Sequence, residues 1–99
     1  MKNLNNKIKI LLEKGVRIPN PESIEIGDEV DIERISGDRV SVYSGCKIYG
    51  NSTLILHGTS IGYEGPATIE NCQLGPEVKL KNGFFKQAVF LNKVSMGLG

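Results

Sequence analysis

Hydrophobic positions recur about every six residues along most of this chain, and they come in pairs two positions apart. Each pair holds a small or β-branched residue followed by a bulky aliphatic or aromatic one. A strand places residues i and i+2 on one face, whereas a helix places them on opposite sides. The pattern therefore predicts short strands whose paired residues point inward. The pairs are Ile24/Ile26, Val30/Ile32, Val40/Val42, Cys46/Ile48, Ser52/Leu54, Thr59/Ile61, Ala67/Ile69, Cys72/Leu74, Val78/Leu80, Ala88/Phe90 and Val94/Met96.

Three such strands closing into a triangle give a coil of about 18 residues, and successive coils stack into a solenoid. Glycine and asparagine, which tolerate positive φ, fall between the pairs, where the turns of each coil lie. Two steps, from Ile32 to Val42 and from Leu80 to Phe90, are ten residues long and predict loops at corners. The segment Glu64-Gly65-Pro66 predicts a corner with a forced turn.

Three segments resemble the unit of the hexapeptide-repeat proteins, in which an aliphatic residue, often followed by Gly, precedes two variable residues and a small one. They are Ile26-Gly27-Asp28-Glu29-Val30-Asp31, Ile61-Gly62-Tyr63-Glu64-Gly65-Pro66 and Leu74-Gly75-Pro76-Glu77-Val78-Lys79. This resemblance implies an all-β chain folded as a left-handed parallel β-helix, normally assembled as a trimer. A parallel solenoid of the other hand is the structural alternative.

Residues 3 to about 14 predict a short amphipathic helix. Apolar residues recur there at helical spacing, namely Leu4, Ile8, Leu11 and Leu12. Asn3 or Asn5 can cap its start, and Gly15 stands where it ends. We expect this helix to cover the open end of the first coil, because a terminal coil otherwise exposes backbone and core. Contact of its basic stripe with a membrane surface is the alternative.

A connector is predicted to follow the helix. The stretch from Val16 to Ser23 contains Pro19 and Pro21, which favour extended backbone. We therefore divide the chain into a helix and connector at residues 1–22 and β-helix coils at residues 23–99. The coils end within a hexapeptide, which predicts a C-terminally truncated fragment or an end covered by another chain.

Length and charge restrict the class of protein. The chain has 99 residues and a net charge of +1, which predict one domain without a general attraction to nucleic acid. No apolar run approaches the roughly 20 residues of a membrane span, and the first residues lack a secretory pattern. A cytoplasmic location is expected. Cys46 and Cys72 occupy small inward positions, where a free Cys serves as a small hydrophobe rather than a metal ligand.

Charged residues are unevenly distributed. Residues 22–38 contain seven acidic side chains and Arg34, and their alternation with aliphatic residues predicts an outer face rather than a metal site. This face is either solvated or paired with the basic helix. Residues 79–93 contain four lysines and no acid. Between those lysines, Phe84 or Phe85 is predicted to point outward as a subunit contact or, alternatively, as a ligand platform.

The candidate chemistry is limited. Hexapeptide-repeat proteins are largely acyltransferases that use acetyl-coenzyme A or acyl carrier protein, often with a histidine as general base between subunits. His57, at a predicted corner, is the single histidine and hence the only candidate for this role. It lacks an evident acidic partner nearby, and a plain turn residue is the alternative.

A closer resemblance is carried by three segments: Gly62-Tyr63-Glu64-Gly65-Pro66-Ala67-Thr68-Ile69-Glu70-Asn71-Cys72, Gly83-Phe84-Phe85 and Ser95-Met96-Gly97. They look like bacterial UDP-N-acetylglucosamine pyrophosphorylase-related proteins, which are similar to the β-helix half of the bifunctional pyrophosphorylase/acetyltransferase. The resemblance implies a sugar-nucleotide ligand. No Gly-rich loop leads into a helix here, as nucleotidyl transfer on a doubly wound domain would require.

Two functional hypotheses follow. The chain is either the N-terminal part of a sugar-nucleotide acyl- or nucleotidyltransferase, inactive by itself, or a non-catalytic β-helical module for structure and oligomerisation.

Overall fold

A computed structural model describes residues 5–92 and 95–96 of the chain. One α-helix, α1 (Asn6–Lys14), precedes the strands, and short 3-10 turns cover Pro21–Ser23 and Ile32–Arg34. The strands are β1 (Glu25–Ile26), β2 (Ser41–Val42), β3 (Lys47–Tyr49), β4 (Leu54–Ile55), β5 (Ser60–Ile61), β6 (Ala67–Glu70), β7 (Gln73–Leu74), β8 (Lys79–Leu80), β9 (Gly83–Lys86), β10 (Val89–Phe90) and β11 (Ser95–Met96).

The strands form three parallel sheets that the chain visits in turn. Sheet I contains β2, β5, β8 and β11, sheet II contains β1, β3, β6 and β9, and sheet III contains β4, β7 and β10. Each strand pairs with the strand one coil earlier or later, always in parallel. This arrangement confirms the parallel β-solenoid, while its left-handed winding remains a prediction.

Stacked aliphatic columns form the core. In sheet II the register places Ile26, Ile48 and Ile69 opposite one another, and the last two are fully buried. In sheet I the corresponding residues are Val42 and Ile61, which also have almost no exposed surface. Most predicted inward pairs are therefore confirmed. Val94 and the side chain of Met96 lie outside the described residues.

One predicted pair is wrong by a single position. Thr53 and Ile55 are fully buried, whereas Ser52 is exposed and Leu54 is partly exposed. Three consecutive aliphatic residues at 54–56 obscure the alternation in the sequence. The buried Thr53 hydroxyl donates to the Tyr49 carbonyl at 2.6 Å and accepts from a backbone N–H. These bonds satisfy its polar atom inside the coil.

The two long steps each contain an additional inward residue. Ile35 follows the Ile32–Arg34 turn, is buried, and bridges to Ile55 in parallel, while Ile32 is only partly buried. Phe85 pairs with Ile69 and packs against the core. The coils are consequently less regular than the predicted 18 residues. Paired positions in sheet II differ by 22, 21 and 16 residues from Ile26 to Phe85.

The predicted connector contributes to the first coil. Val16 and Ile18 are buried, and Arg17 between them forms a parallel bridge with Ser41. The Arg17 N–H donates to the Val40 carbonyl at 2.8 Å, as it would in a regular strand. Sheet I therefore begins within the segment that the two prolines suggested was a simple connector.

Helix α1 covers the first coil, as predicted. The Asn5 side chain accepts a hydrogen bond from the Lys7 N–H, and Gly15 ends the helix in a left-handed conformation. Ile8 and Leu11 are buried against the core, although Leu12 is 37% exposed.

Two lysines of this helix donate hydrogen bonds to backbone carbonyl groups of the first coil. The Lys7 ammonium donates to the Val30 carbonyl at 2.8 Å, and the Lys14 ammonium donates to the carbonyls of Ile32 and Ile35. The helix thus supplies both apolar cover and hydrogen-bond donors to the end of the solenoid.

We expect Ile48→Asp to prevent folding, because an unpaired buried charge costs roughly 3–5 kcal/mol or more, a large part of a domain's stability. Lys47→Asp is the matched control, since Lys47 is the exposed neighbour in the same strand. Circular dichroism should show an unfolded Ile48→Asp chain and a folded control. A native spectrum for Ile48→Asp would mean that this residue does not face the core.

We expect Lys14→Met to lower the free energy of unfolding by about 1–2 kcal/mol, because two backbone carbonyls lose a charged donor. Lys9→Met on the exposed side of the same helix should change it little. Urea unfolding of both variants tests this difference. Equal stabilities would show that the lysine contacts do not contribute to the cap.

Candidate functional site

A groove opens on the corner where the chain passes from sheet I to sheet II. It has a volume of about 530 Å³ and adjoins a smaller pocket of about 210 Å³ that shares Tyr43 and Tyr63. The larger part is lined by Ser23, Tyr43, Ser44, Gly45, Gly62, Tyr63, Gly65 and Pro66. The smaller part adds Ser60 and Lys79.

Glycines shape the corners from which Tyr43 and Tyr63 line the groove in successive coils. Gly62, with φ of 76°, precedes Tyr63, and an added Cβ there would lie 2.2 Å from the Cys46 sulfur. Gly45 has φ of 77°, and its N–H donates to the Ser23 hydroxyl at 2.9 Å. Both corners therefore need residues without a side chain, and the tyrosines form the walls.

The predicted turn at Glu64-Gly65-Pro66 is confirmed and shapes the groove. The Glu64 N–H donates to the Lys81 carbonyl at 3.1 Å, and the Pro66 carbonyl accepts from Gly83 at 3.2 Å. These bonds hold the longer corner loop against the next coil. Pro66 thereby closes one side of the groove.

A polar row on the outer face of sheet I leads into the groove. The register aligns Ser41, Ser60 and Lys79 on successive strands, and Arg17 bridges to Ser41 at the start of the row. Adjacent strands are about 4.8 Å apart, so the row from Ser41 to Lys79 spans roughly 10 Å. Two hydroxyls thus lie between two cationic side chains.

The side chains that line the groove suit a ligand that combines a ring with an anionic group. Among its lining residues, Lys79 carries the only charge, and none is Asp, Glu or His. Tyrosine rings provide flat apolar faces with a polar edge, and serine hydroxyls donate and accept hydrogen bonds. Lysine contributes a point charge suited to phosphate.

His57 lies at a different corner. It is exposed between β4 and β5, where its carbonyl accepts from the Glu77 N–H at 2.9 Å. The groove lies at the opposite end of β5, after Ile61. The structure therefore does not bring the sequence-predicted histidine to the groove.

The two cysteines are free and buried in neighbouring coils. Burial raises the pKa of the Cys46 thiol above its ordinary value. The Cys72 thiol contacts the Phe85 carbonyl at 3.2 Å. Their predicted inward position is confirmed.

The aromatic pair at 84–85 points in two directions, as expected. Phe84 is 64% exposed on the outer face of sheet II. Phe85 packs against the core and meets Phe90 edge-on, with ring centroids 5.7 Å apart. The role of Phe84 in a subunit contact or ligand platform stays a prediction.

The acidic residues at 22–38 are all exposed, which confirms the predicted outer face. Two of them contact the second coil. Glu25 accepts from the Tyr49 hydroxyl at 2.5 Å, and this bond raises the pKa of Tyr49. Glu29 accepts from the Gly50 N–H at 2.7 Å, which lowers the pKa of its carboxyl group.

The described ranges contain neither a cluster of metal ligands nor a membrane-spanning helix. Between residues 5 and 92 and at 95–96, no group of three or more His, Cys, Asp or Glu side chains could hold a metal ion. In the same part of the chain, no helix has the length and apolar character to cross a membrane.

The comparisons with known proteins found no counterpart: no family model, curated protein or solved structure matches the chain.

The groove is not apparent in the sequence, because its lining residues are far apart along the chain. Tyr43 and Tyr63 follow the inward residues Val42 and Ile61 by one and two positions. The signal that could have revealed them was the pairing of those strands. Aligning the two coils on their inward residues places both tyrosines at one corner.

We expect the carboxylate of Glu29 to stabilise the fold in a pH-dependent manner. Its folded-state pKa lies below the ordinary value of 4.5, so its contribution is present above that value and is lost as pH falls through the folded-state pKa. The difference in urea midpoint between wild type and Glu29→Gln should therefore shrink as the solution is acidified.

Glu33→Gln is the control, because its exposed carboxylate accepts no hydrogen bond from another described residue. The urea midpoint of Glu33→Gln should differ little from that of wild type at every pH. If the difference in midpoint between wild type and Glu29→Gln instead grew on acidification, the assigned contact of Glu29 with the Gly50 N–H would be contradicted.

Proposed function

We propose that this chain is the N-terminal part of a β-helical protein that acts on sugar nucleotides, and that its groove binds such a ligand. The observation that carries the proposal is the convergence of Tyr43, Tyr63, Ser60 and Lys79 on one corner. The sequence resemblance supplies the ligand class. The geometry supports it, because the site combines ring-binding faces with one cation.

Each part of a sugar nucleotide has a complementary group here. The tyrosine faces suit the base or the sugar ring, which both present flat or weakly polar surfaces. Lys79 and the adjacent hydroxyl of Ser60 suit phosphate oxygens. The roughly 10 Å row on sheet I offers space for a diphosphate beside the ring-binding part of the groove.

The proposed role is binding rather than catalysis by this chain alone. Acyl transfer to a hydroxyl or amine needs a general base within hydrogen-bond reach. The lining residues include neither a carboxylate nor an imidazole, and His57 lies at another corner. A transferase step with acetyl-coenzyme A, and a trimer that supplies further residues, are the extensions that the resemblance suggests.

A non-catalytic structural and oligomerisation module is the second candidate. Exposed apolar side chains in the final coil, Phe84 among them, favour this function. The two candidates differ in one property, because a purely structural module has no specific small-molecule ligand.

Titration of the isotope-labelled chain with UDP-N-acetylglucosamine, followed by amide chemical shifts, tests the proposal. Shifts should concentrate at residues 43–45, 60–66 and 79. We expect Lys79→Gln to weaken binding about tenfold or more, since a hydrogen bond to a charged group contributes roughly 1.5–3 kcal/mol. Lys47→Gln, the equivalent exposed lysine that opens β3, should bind like wild type.

Parallel titrations with UDP, N-acetylglucosamine and coenzyme A separate the parts of the proposal. Binding of UDP but not the free sugar assigns the site to the nucleotide. Absence of shifts with every sugar nucleotide, or equal weakening by both lysine variants, would contradict binding in this groove and favour the structural module.

A further inference from the structure

Arg17 differs from the other two arginines, because its guanidinium has no partner among the residues that the structure describes. Arg34 donates to two backbone carbonyls of the next coil, and Arg39 forms an ion pair with Asp38 at 3.4 Å. The Arg17 side chain is exposed, while its backbone is fixed by two hydrogen bonds of 2.8 Å to the neighbouring strand. A positioned cation is therefore available to a ligand.

Arg17 and Lys79 lie at opposite ends of the polar row on sheet I. The register places Ser41 and Ser60 between them, and both serines are partly exposed. Three strand spacings separate the two cationic residues, which puts their Cα atoms roughly 14 Å apart. Tyr43 follows Ser41 by two positions and so faces the same side of the sheet. The row therefore continues the groove from Lys79 toward Arg17.

A second lysine stands beside Lys79 at the groove. Leu80 is fully buried, so Lys79 and Lys81 on either side of it both face outward. The Gly62 N–H donates to the Leu80 carbonyl at 2.6 Å, which places this segment next to a residue that lines the groove. Two cations at one place suit the two adjacent phosphates of a nucleoside diphosphate.

Arg17 is too far from these lysines to bind the same diphosphate. The two phosphorus atoms of a diphosphate share one bridging oxygen and lie close together, whereas Arg17 is three strands from Lys79. An anion bound by Arg17 therefore belongs to another part of the ligand. In a nucleotide sugar, the part beyond the phosphates is the sugar, and the two serine hydroxyls can donate to and accept from its hydroxyl groups. A guanidinium binds a carboxylate through two parallel hydrogen bonds.

We infer that the groove prefers a nucleotide sugar whose sugar ring carries a carboxylate, as a uronic acid does, and that Arg17 selects this group. Lys79 and Lys81 bind the diphosphate, the sugar crosses Ser60 and Ser41, and Arg17 binds the carboxylate. This inference rests on the proposed function and adds to it the chemical class of the sugar.

UDP-glucuronic acid and UDP-glucose are a matched pair of probes, because they differ only in whether the sugar carries a carboxylate or a hydroxymethyl group. Titration calorimetry of the full chain at fixed ionic strength should give a Kd about tenfold lower for the acid, since its carboxylate gains a charged hydrogen bond. Arg17→Gln should remove this preference and leave the affinity for UDP-glucose unchanged. That unchanged affinity also shows that the variant retains its fold and its groove.

Lys47→Gln is the control, because it removes one exposed positive charge from sheet II and leaves sheet I intact. It should bind both probes like wild type. If Lys47→Gln removed the preference as well, general attraction between charges would explain the preference, and the role of Arg17 would be overturned.

Other results separate this inference from the proposed function. Equal affinity of wild type for the two probes, or a preference that survives in Arg17→Gln, would overturn the inference and leave sugar-nucleotide binding in place. Tighter binding of UTP than of UDP, lost in Arg17→Gln, would show that Arg17 binds a phosphate and would also overturn it. Absence of binding by every UDP-sugar would overturn the proposed function together with the inference.

Discussion

Burial of aliphatic side chains in columns along the solenoid axis is the interaction on which the rest of this structure depends. Each inward residue packs on the residue that occupies the same side of the neighbouring coil, as Ile48 does on Ile69. Fully burying such a side chain contributes roughly 1.5–3 kcal/mol. Parallel hydrogen bonds between coils keep the columns in register, so packing and backbone pairing support one another.

Because the columns occupy the interior, coil length and corner structure can vary without loss of the core. The number of residues per coil changes where Ile35 and Phe85 add inward positions and where a longer loop ends at Pro66. The three sheets nevertheless continue through these coils. The same freedom produces the groove, since a longer corner projects Tyr63 beside Tyr43. Helix α1 covers the first coil, whereas the coil at residues 83–91 exposes Phe84, Val89 and Leu91.

The sequence predicted the architecture well because inward pairs depend on local alternation. It also predicted α1 and its end at Gly15, because helical spacing and a terminal glycine are likewise local signals. Alternation could not decide between Leu54 and Ile55 within an aliphatic run, and only pairing with Leu74 selects Ile55. The groove was not predictable by local inspection, because it depends on the register between coils that are about 20 residues apart.

The most direct measurement of the central claim is the set of methyl–methyl nuclear Overhauser effects in a selectively labelled sample. Stacked columns predict contacts between the methyl groups of Ile48 and Ile69, and between those of Ile55 and Leu74. Methyl contacts that instead place Leu54 on Leu74, or the absence of contacts between Ile48 and Ile69, would contradict the in-register stacking of coils.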